Sequence, residues 1–380
     1  MKILIFSPYY PPHIGGLESH ADEFNKHLSQ KGVDITVFTP RLPEDAPETE
    51  IKYNNVKIIR FPAFEIISNY PLPKFWTKKY QELRREINTK NFDIVISRTR
   101  FFNTSLMAMV YAKTKKIKWI HIEHGSDFVK LSSGFKTFVA KLYDYTFGSL
   151  VFKFSDINVS ISKTVNEFVK KFDKRNSPVI YRGLDFKKID NINQDPEIKE
   201  KFEGKIIISF AGRLYKWKGV ENTVKAIKSL PEKIKSKIVF LVLGDGEDYA
   251  RIKKLVGEDK SIEMFGSLKW EKVISILKIT DIYVHSSLPG GGLSTSLLEA
   301  MYSKCAVIAT PNEGADEVIQ DNENGLLIEN SDPKTISKKI IELIEDKDKI
   351  GLFSEKASKK TLDFFTWDKS IEKYLTILKK

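Results

Sequence analysis

The chain has 380 residues and a mass of 43.7 kDa, so the usual size of about 150 residues per domain predicts two domains. With 41% hydrophobic and 29% charged residues it has the composition of a globular protein, which excludes disordered, collagen-like and coiled-coil chains. The net charge is +12, and residues 1–195 carry +10 of it. The basic first half indicates an anionic partner: nucleic acid, a phosphorylated ligand or an anionic membrane.

The cysteine content and the apolar runs predict a cytoplasmic protein. Cys305 is the single cysteine, which excludes a disulfide framework and a cysteine-based metal cluster. The apolar run at residues 3–6 is too short for a signal peptide. The longest charge-free stretch, between Asp281 and Glu299, is rich in Gly, Ser and Pro, so we expect no segment to span a bilayer.

Short apolar runs alternate with amphipathic helical patterns along the chain, which is typical of parallel α/β layers. The first series of predicted strands is Lys2–Ser7, Asp34–Thr39, Asp93–Ser97, Lys118–Glu123 and Ile157–Ser160. The second series is Lys205–Phe210, Lys237–Leu243, Ser261–Phe265, Ile282–His285 and Ala306–Ala309, with helices beginning near Gly219, Glu247, Trp270 and Ser294. We therefore predict two doubly wound α/β domains, residues 1–186 and 187–365, with a linker near residues 185–203.

A final amphipathic helix, residues 366–380, is predicted to pack back on the first domain. Ligands of doubly wound domains bind at the carboxyl ends of the strands. We therefore expect a ligand in a cleft between the two domains.

A glycine-rich loop, residues 11–16, stands between the first strand and the first helix. Gly15 and Gly16 allow backbone N–H groups to approach an anion at the helix N-terminus. The alternative interpretation is a tight strand–helix turn with no ligand.

The strand ends of the second series carry glycines and basic residues. Gly212 and Arg213 end one strand and Lys218 precedes the next helix, so both cations can converge on one phosphate-rich ligand. Gly244 and Gly246 end the following strand. The later run Gly290-Gly291-Gly292-Leu293-Ser294-Thr295 reaches a helix start with Ser294 as its cap, which predicts a second anion site, and Glu299 on that helix can accept hydrogen bonds from ribose hydroxyls.

Taken together and in this order, these motifs resemble the retaining glycosyltransferases of family 4, which have the GT-B architecture of two Rossmann-like domains facing across a cleft. The matching pieces cover nearly the whole chain: the loop at 11–18, the strand entry at 31–37, His124-Gly125, residues 159–162, Gly183-Leu184-Asp185, residues 212–219, Gly244-Asp245-Gly246, residues 298–301 and Trp367-Asp368.

The resemblance implies a nucleotide-diphosphate sugar of UDP or GDP type as a substrate, with no cofactor and no metal. It implies that Arg213 and Lys218 neutralise the diphosphate, that Glu299 binds the ribose and that His124 lies beside the transferred sugar. The implied catalytic residues are His124, Arg213 and Lys218. The implied donor-binding residues are Gly15, Gly16, Gly212, Arg213, Lys218, Gly244, Gly246, Gly292, Leu293, Ser294, Thr295 and Glu299.

The sequence departs from the family pattern at two positions. The family usually has two glutamates separated by seven residues; Glu299 is the second, and Gly291 stands at the first position. We expect backbone amides of residues 291–294 to replace the missing carboxylate, or the activity to be altered. The second departure is Arg182, where the family usually has asparagine.

The leading hypothesis is a retaining hexosyltransferase that acts on a lipid-linked or glycan acceptor by metal-independent, front-face transfer. Two alternatives remain open: a non-catalytic subunit that binds nucleotide sugars, and a GT-B-like sugar-nucleotide epimerase. Nucleic-acid binding by the basic half would need a recognition motif, which is absent from the sequence.

Two aromatic and basic stretches in the first half predict peripheral contact with an anionic membrane, at its cytoplasmic face. One is Leu72–Ile87, with Trp76, Tyr80, Leu83 and Ile87 at helical spacing. The other contains Phe128, Lys130, Phe135, Lys136, Phe138, Lys141 and Tyr143. The alternative for the first stretch is that its apolar residues pack on the domain core.

Overall fold

The computed structural model describes residues 1–67, 70–129, 134–289 and 291–379, and it divides into two compact units. The first unit comprises Met1–Arg182 and Trp367–Lys380, and the second comprises Gly183–Thr366. The sequence predicted the division at residues 186 and 187. Both units are doubly wound α/β structures, so the predicted fold class is confirmed.

The described residues of the first unit form nine strands. They are β1 (Lys2–Phe6), β2 (Asp34–Pro40), β3 (Thr49–Lys52), β4 (Val56–Phe61), β5 (Ala63–Ile67), β6 (Tyr70–Pro73), β7 (Ile94–Arg98), β8 (Lys118–Glu123) and β9 (Ile157–Ser160). Seven form one sheet in the order β3-β4-β2-β1-β7-β8-β9, which is parallel except for β3, while β5 and β6 form a separate antiparallel hairpin. The strand order reverses between β1 and β7, which makes this pair the topological switch point.

Helices cover both faces of this sheet. They are α1 (Gly16–Ser29), α2 (Lys78–Asn88), α3 (Asn103–Lys115), α4 (Gly134–Tyr143), a π-helical turn (Asp144–Gly148), α5 (Ser149–Phe154) and α6 (Lys163–Val169). Helix α1 buries Ala21, Phe24 and Leu28, whose spacing of three and four residues places them on one face. Phe24 also contacts Tyr374 of the C-terminal helix, with ring centroids 4.8 Å apart.

The second unit has a six-stranded parallel sheet. Its strands are β10 (Ile206–Ala211), β11 (Ile238–Leu243), β12 (Ile262–Gly266), β13 (Ile282–His285), β14 (Ala306–Ala309) and β15 (Leu326–Leu327). Their order is β12-β11-β10-β13-β14-β15, so the switch point lies between β10 and β13. All six residues of β11 are buried, as expected for a parallel strand covered on both faces.

The remaining helices complete the second unit and the C-terminus. They are α7 (Phe186–Asp190), α8 (Pro196–Lys201), a 3-10 turn (Lys216–Lys218), α9 (Val220–Lys228), α10 (Glu232–Lys235), α11 (Tyr249–Val256), α12 (Trp270–Leu277), α13 (Thr295–Tyr302), α14 (Ala315–Val318), α15 (Pro333–Glu345), α16 (Lys347–Phe364) and α17 (Trp367–Lys379). Helix α17 belongs to the first unit, where Ile371 and Tyr374 are buried in the core.

The prediction of a membrane-binding helix within Leu72–Ile87 is wrong. The apolar residues of α2, Tyr80, Leu83 and Ile87, are at most 5% exposed and pack in the core of the first unit. Phe75 and Trp76, 47% and 68% exposed, remain at the surface, and both precede the helix, which Thr77 caps by accepting a hydrogen bond from the Tyr80 amide. The apolar face of α2 is used for packing on β4 and is therefore not available to lipid.

Candidate active site

The carboxyl ends of four neighbouring strands of the second unit are joined by direct backbone contacts. A Cβ atom added to Gly244, after β11, would lie 1.8 Å from the carbonyl oxygen of Gly212, after β10. One added to Gly246 would lie 2.7 Å from the carbonyl oxygen of Leu214. These positions have positive φ angles of 152° and 156°, so glycine is required there by both space and conformation. The loops after β10 and β11 therefore form one packed layer.

The layer also includes the loops after β13 and β14, on the other side of the switch point. A Cβ at Gly219 would lie 2.0 Å from the carbonyl oxygen of Ser286, after β13, and Gly219 has a φ of 69°. The Leu288 amide donates to the Trp217 carbonyl at 2.6 Å. The Ser294 amide in turn donates to the carbonyl of Glu313, after β14, at 3.1 Å. The loops that carry the predicted donor residues of this unit are thus adjacent at the edge where ligands of parallel sheets bind.

The two predicted phosphate-binding cations lie in the loop after β10 in different environments. Arg213 is the second residue after the strand, is partly exposed and donates from Nη1 to the Tyr215 hydroxyl at 3.3 Å. Lys218 ends the 3-10 turn, and its Nζ lies 4.4 Å from the centre of the Trp217 ring. Lys218 Nζ also donates to both carboxylate oxygens of Glu313, each at 2.8 Å. The charge of Lys218 is therefore balanced within the protein.

Helix α13 begins where the sequence predicts, but its cap differs from the prediction. Ser294 is the cap residue, yet its hydroxyl does not accept a helix amide; it lies 3.3 Å from the Ser296 hydroxyl instead. Gly292 and Leu293 precede it, Thr295 begins the helix, and Gly290 of the predicted run lies outside the described residues. The Ser294 hydroxyl therefore does not fill the helix N-terminus, a position at which anions bind in proteins.

Glu299 lies one turn into α13 and is 8% exposed. Its Oε1 accepts a hydrogen bond from the indole Nε1 of Trp270 at 2.8 Å, and Lys188 Nζ lies 4.2 Å from the centre of that indole. Trp270 begins α12, so the indole fixes the direction of the Glu299 carboxylate. The sequence motif gave no sign of this partner.

Glu313 is a second buried carboxylate at this edge, and sequence reasoning missed it. It is 4% exposed and accepts hydrogen bonds from Lys218 and from the Ser287 hydroxyl, while His285 Nε2 lies 3.2 Å from its Oε2. Burial raises the pKa of Glu313, but the nearby Lys218 and His285 outweigh this effect and lower the pKa to about 2. The residue is therefore an anion at neutral pH. Its position four residues after a buried strand was the available signal.

In the first unit, the predicted glycine loop lies at the switch point after β1. Gly15 precedes α1 in an extended conformation, and Gly16 begins the helix with no atom within 4 Å of an added Cβ. His13 Nδ1 contacts the Glu18 carboxylate, and the His13 ring stacks on Tyr9 at 4.3 Å. The open space at Gly16 is compatible with the predicted approach of an anion to the α1 amides.

His124 directly follows β8, and its imidazole lies in a cationic environment. Its ring meets that of His20 edge to face at 4.8 Å, and His20 Nδ1 lies 3.0 Å from Nη1 of the buried Arg98. Burial and the charge of Arg98 lower the pKa of His124 to about 3. The imidazole is therefore neutral at physiological pH. It can donate and accept hydrogen bonds, but it cannot supply a positive charge.

A buried ion cluster fixes the backbone around His124. Glu123 Oε1 accepts from the amides of His124 and Gly125, at 2.9 and 2.7 Å. Arg100 Nη1 lies 3.2 Å from the same oxygen, and Arg100 also donates to both carboxylate oxygens of Asp144 in the π-helical turn. All three charged side chains are at most 1% exposed. Sequence reasoning did not identify this cluster.

Comparison with known proteins agrees with the fold and identifies the family. Residues 14–188 match Glycosyltransferase Family 4, and residues 191–360 match Glycosyl transferases group 1. An uncharacterized glycosyltransferase of Methanocaldococcus jannaschii is 47% identical, covering 100% of this chain and 98% of that protein. The GPI3 subunit of the Saccharomyces cerevisiae phosphatidylinositol N-acetylglucosaminyltransferase is 24% identical, over 91% of this chain and 76% of its own length.

Among solved structures, Anabaena HepE in complex with UDP is similar, with a TM-score of 0.77 and 16% identity, and each chain is covered completely. The fold and the loop layer define a glycosyltransferase of GT-B type. The chain belongs to glycosyltransferase family 4. The predicted family and enzyme class are thereby confirmed.

Proposed function

We propose that this glycosyltransferase moves a hexose from a UDP- or GDP-sugar to a lipid-linked or glycan acceptor with retention of the anomeric configuration. The observation that carries the proposal is the continuous loop layer of the second unit. It combines Arg213, Lys218, the open N-terminus of α13 and the buried Glu299 at one sheet edge. This set matches a ligand with a diphosphate and a ribose.

The residues support front-face transfer without a metal ion. The acceptor oxygen bonds to the anomeric carbon on the face from which the diphosphate oxygen departs, and that leaving oxygen takes the acceptor proton. Arg213, Lys218 and the α13 amides stabilise the charge that develops on the diphosphate. In the first unit, the neutral His124 can donate a hydrogen bond to a sugar hydroxyl or accept one from it, and the α1 amides near Gly15 and Gly16 can bind an anion.

The proposal is tested by a transfer assay with the purified chain, after UDP, GDP and ADP have been compared as thermal stabilisers. A nucleotide present at about 100 times its Kd should add about 2.7 kcal/mol to the free energy of unfolding. Transfer or hydrolysis of the matching sugar nucleotide supports the enzyme. If the chain binds the sugar nucleotide but neither transfers nor hydrolyses it, the result would favour the non-catalytic subunit. A sugar nucleotide epimerised in its sugar ring as the product would favour the epimerase.

Transfer is expected to persist in the presence of EDTA, because protein cations and helix amides stabilise the diphosphate. The measurement is the initial rate with and without the chelator at fixed ionic strength, since salt alone screens charged contacts. Loss of the rate in EDTA and its recovery with added magnesium or manganese would contradict the assignment.

Replacing Glu299 with glutamine is expected to weaken nucleoside diphosphate binding by about 1.5–3 kcal/mol, the range for a hydrogen bond to a charged group. This corresponds to a rise in Kd of roughly 10- to 100-fold, measured by calorimetry. Glu271→Gln is the matched control, because Glu271 is exposed on α12 beside Trp270. Equal affinity of the Glu299 variant and the wild type would leave Glu299 with a structural role only.

The acceptor part of the proposal is supported by an exposed apolar surface on the first unit. Phe135, Phe138 and Leu142 of α4 are 77%, 64% and 54% exposed, and Tyr145 and Phe147 of the π-helical turn extend the surface. Lys141 Nζ lies beside it, 5.1 Å from the centre of the Phe128 ring. Lys130 lies outside the described residues. None of the described helices is long and apolar enough to cross a bilayer.

The occupant that we propose for this surface is an anionic lipid bilayer. Aromatic residues insert at the headgroup level, and each nearby lysine adds about 1 kcal/mol at most. The yeast relative is by name a subunit of a phosphatidylinositol N-acetylglucosaminyltransferase, which supports a lipid acceptor.

Flotation with vesicles tests the membrane contact. We expect the chain to float with phosphatidylserine-containing vesicles and to dissociate as salt is raised, because lysine–lipid attraction is screened. Phe135→Ser/Phe138→Ser should abolish flotation, whereas Leu352→Ser/Leu362→Ser, which removes two exposed leucines of α16, should not. Failure to float with either anionic or neutral vesicles at any salt concentration would contradict the membrane contact but not the transferase.

A further inference from the structure

The space beside Gly291 is occupied by a carboxylate from another loop. A Cβ atom added to Gly291 would lie 2.7 Å from Oε1 of Glu313 and 3.5 Å from Cζ3 of Trp217. A side chain at residue 291 and the Glu313 carboxylate therefore compete for one volume. That volume lies beside the glycine run that leads into α13.

The two oxygens of Glu313 have different numbers of partners. Oε2 contacts the Ser287 hydroxyl, Lys218 Nζ and His285 Nε2. Within the described part of the chain, Oε1 accepts from Lys218 Nζ alone. A carboxylate oxygen has two lone-pair positions, so Oε1 keeps one acceptor position, and this oxygen is the one next to Gly291.

The backbone of Glu313 has a strained conformation that directs its carboxylate towards Gly291. Its φ is +52°, a left-handed conformation that costs a residue with a side chain free energy. The conformation is held by the Ser294 amide, which donates to the Glu313 carbonyl, and by the buried side-chain contacts. Strain of this kind persists where the surroundings fix the residue, and it is concentrated at functional sites.

We propose that Oε1 of Glu313, which lies in the space that a side chain at residue 291 would fill, accepts a hydrogen bond from a hydroxyl of the donor's sugar ring. The ring is attached to the diphosphate that Lys218 is proposed to hold, and Lys218 is the immediate partner of Glu313. One carboxylate thus orients the lysine through both oxygens and positions the sugar through one. This inference rests on the proposed function and identifies the residue that selects the sugar.

The test compares two ligands that differ only in the sugar: the nucleoside diphosphate that best stabilises the wild type, and its glucose or N-acetylglucosamine derivative. Glu313→Gln should raise the Kd of the sugar nucleotide about tenfold or more, the effect of one charge-assisted hydrogen bond. The Kd of the nucleoside diphosphate should not rise. A role through Lys218 alone would change both affinities alike, because both ligands carry the diphosphate, and that result would overturn the inference.

Two further variants keep the inference testable if Glu313→Gln does not fold. Gly291→Ala is conformationally allowed, since Gly291 lies outside the left-handed region, but its Cβ must displace Oε1, so it should show the same sugar-selective loss. Gly351→Ala is the matched control, because an added Cβ there meets nothing within 4 Å. An unchanged affinity of Gly291→Ala for the sugar nucleotide would contradict the inference.

The double variant Gly291→Glu/Glu313→Gly returns a carboxylate to the same volume from the other loop. Glycine suits the left-handed conformation at position 313, so this exchange also relieves the backbone strain. It should recover most of the sugar affinity that Glu313→Gly loses. A double variant as weak as Glu313→Gly would overturn the inference, whereas absence of transfer by the wild type itself would instead refute the proposed function.

Discussion

Replacing Arg213 with alanine is expected to reduce the turnover number for sugar transfer by a factor of about 10²–10³. Arg213 lies at the end of β10, at the switch point of the second sheet, where a diphosphate can reach it. Its charge matters most when the bond to the diphosphate breaks, so turnover should fall more than substrate affinity. Steady-state kinetics over a range of sugar-nucleotide concentrations separate the two effects.

Lys216→Ala provides the control, because Lys216 is an exposed cation in the same loop. It should retain nearly the wild-type rate, which shows that net charge alone is not responsible. Lys218→Ala is a less specific test, since it also leaves the buried Glu313 without its cation. If Arg213→Ala transferred sugar as fast as the wild type, the diphosphate site would lie elsewhere.

Replacing Arg100 with alanine is expected to lower the free energy of unfolding of the first unit by about 3–5 kcal/mol, the cost of breaking a buried ion pair. The substitution leaves Glu123 and Asp144 buried without their shared cation. The two units can unfold separately, so calorimetric transitions are assigned to each unit rather than treated as one two-state event. Arg84→Ala, at an exposed position on α2, should change stability by less than about 0.5 kcal/mol.

The pH dependence of the stability lost in Arg100→Ala tests this prediction more sharply. Burial raises the pKa of Glu123, but the nearby Arg100 and His121 outweigh this effect and lower the pKa to about 2. In the wild type this depressed pKa contributes stability above the unfolded value near 4.5, and the contribution is lost as the pH falls towards 2. Without Arg100 the carboxylates can be protonated at higher pH, so the deficit should shrink between pH 7 and pH 4.5. A deficit that does not change with pH would indicate lost packing rather than unpaired charge.

The sequence predicted most of the buried strands of both sheets but missed β4, in which five of six residues are buried. Strand β11 is a continuous apolar run, and its bounds were predicted within one residue. The edge strand β3, Thr-Glu-Ile-Lys, was missed because half of its residues are charged and it pairs antiparallel at the rim of the sheet. Alternation over four residues is too short a signal to distinguish from a loop.

The amphipathic pattern of α2 was read correctly as a helix but assigned to the wrong environment. Periodicity establishes that Tyr80, Leu83 and Ile87 share a face; it does not establish whether protein or lipid covers that face. In α4 the outcome is the opposite, because Phe135 and Phe138 remain exposed. The difference comes from tertiary packing, which no local pattern contains.

Site residues were predictable where they stand beside glycines at strand ends. Gly212, Gly244 and Gly246 follow buried strands directly, and their positions at the carboxyl edge follow from the parallel topology. The contacts of Glu313 with Lys218 and of Trp270 with Glu299 were not predictable, because the partners lie in loops or helices distant in sequence. Such pairings depend on which strands are neighbours, and the order β10-β13-β14 is known only from the fold.

The interlocked glycines limit how the specificity of this enzyme can be redesigned. Because Gly244 faces the Gly212 carbonyl and Gly219 faces the Ser286 carbonyl, an insertion in any one of these loops would push its neighbours apart. A mutagenesis library should therefore hold the glycine positions constant and vary the side chains that project from the layer, beginning with Tyr215 and Trp217. Diversity introduced in this way changes the side chains at this sheet edge without changing the backbone layer that carries them.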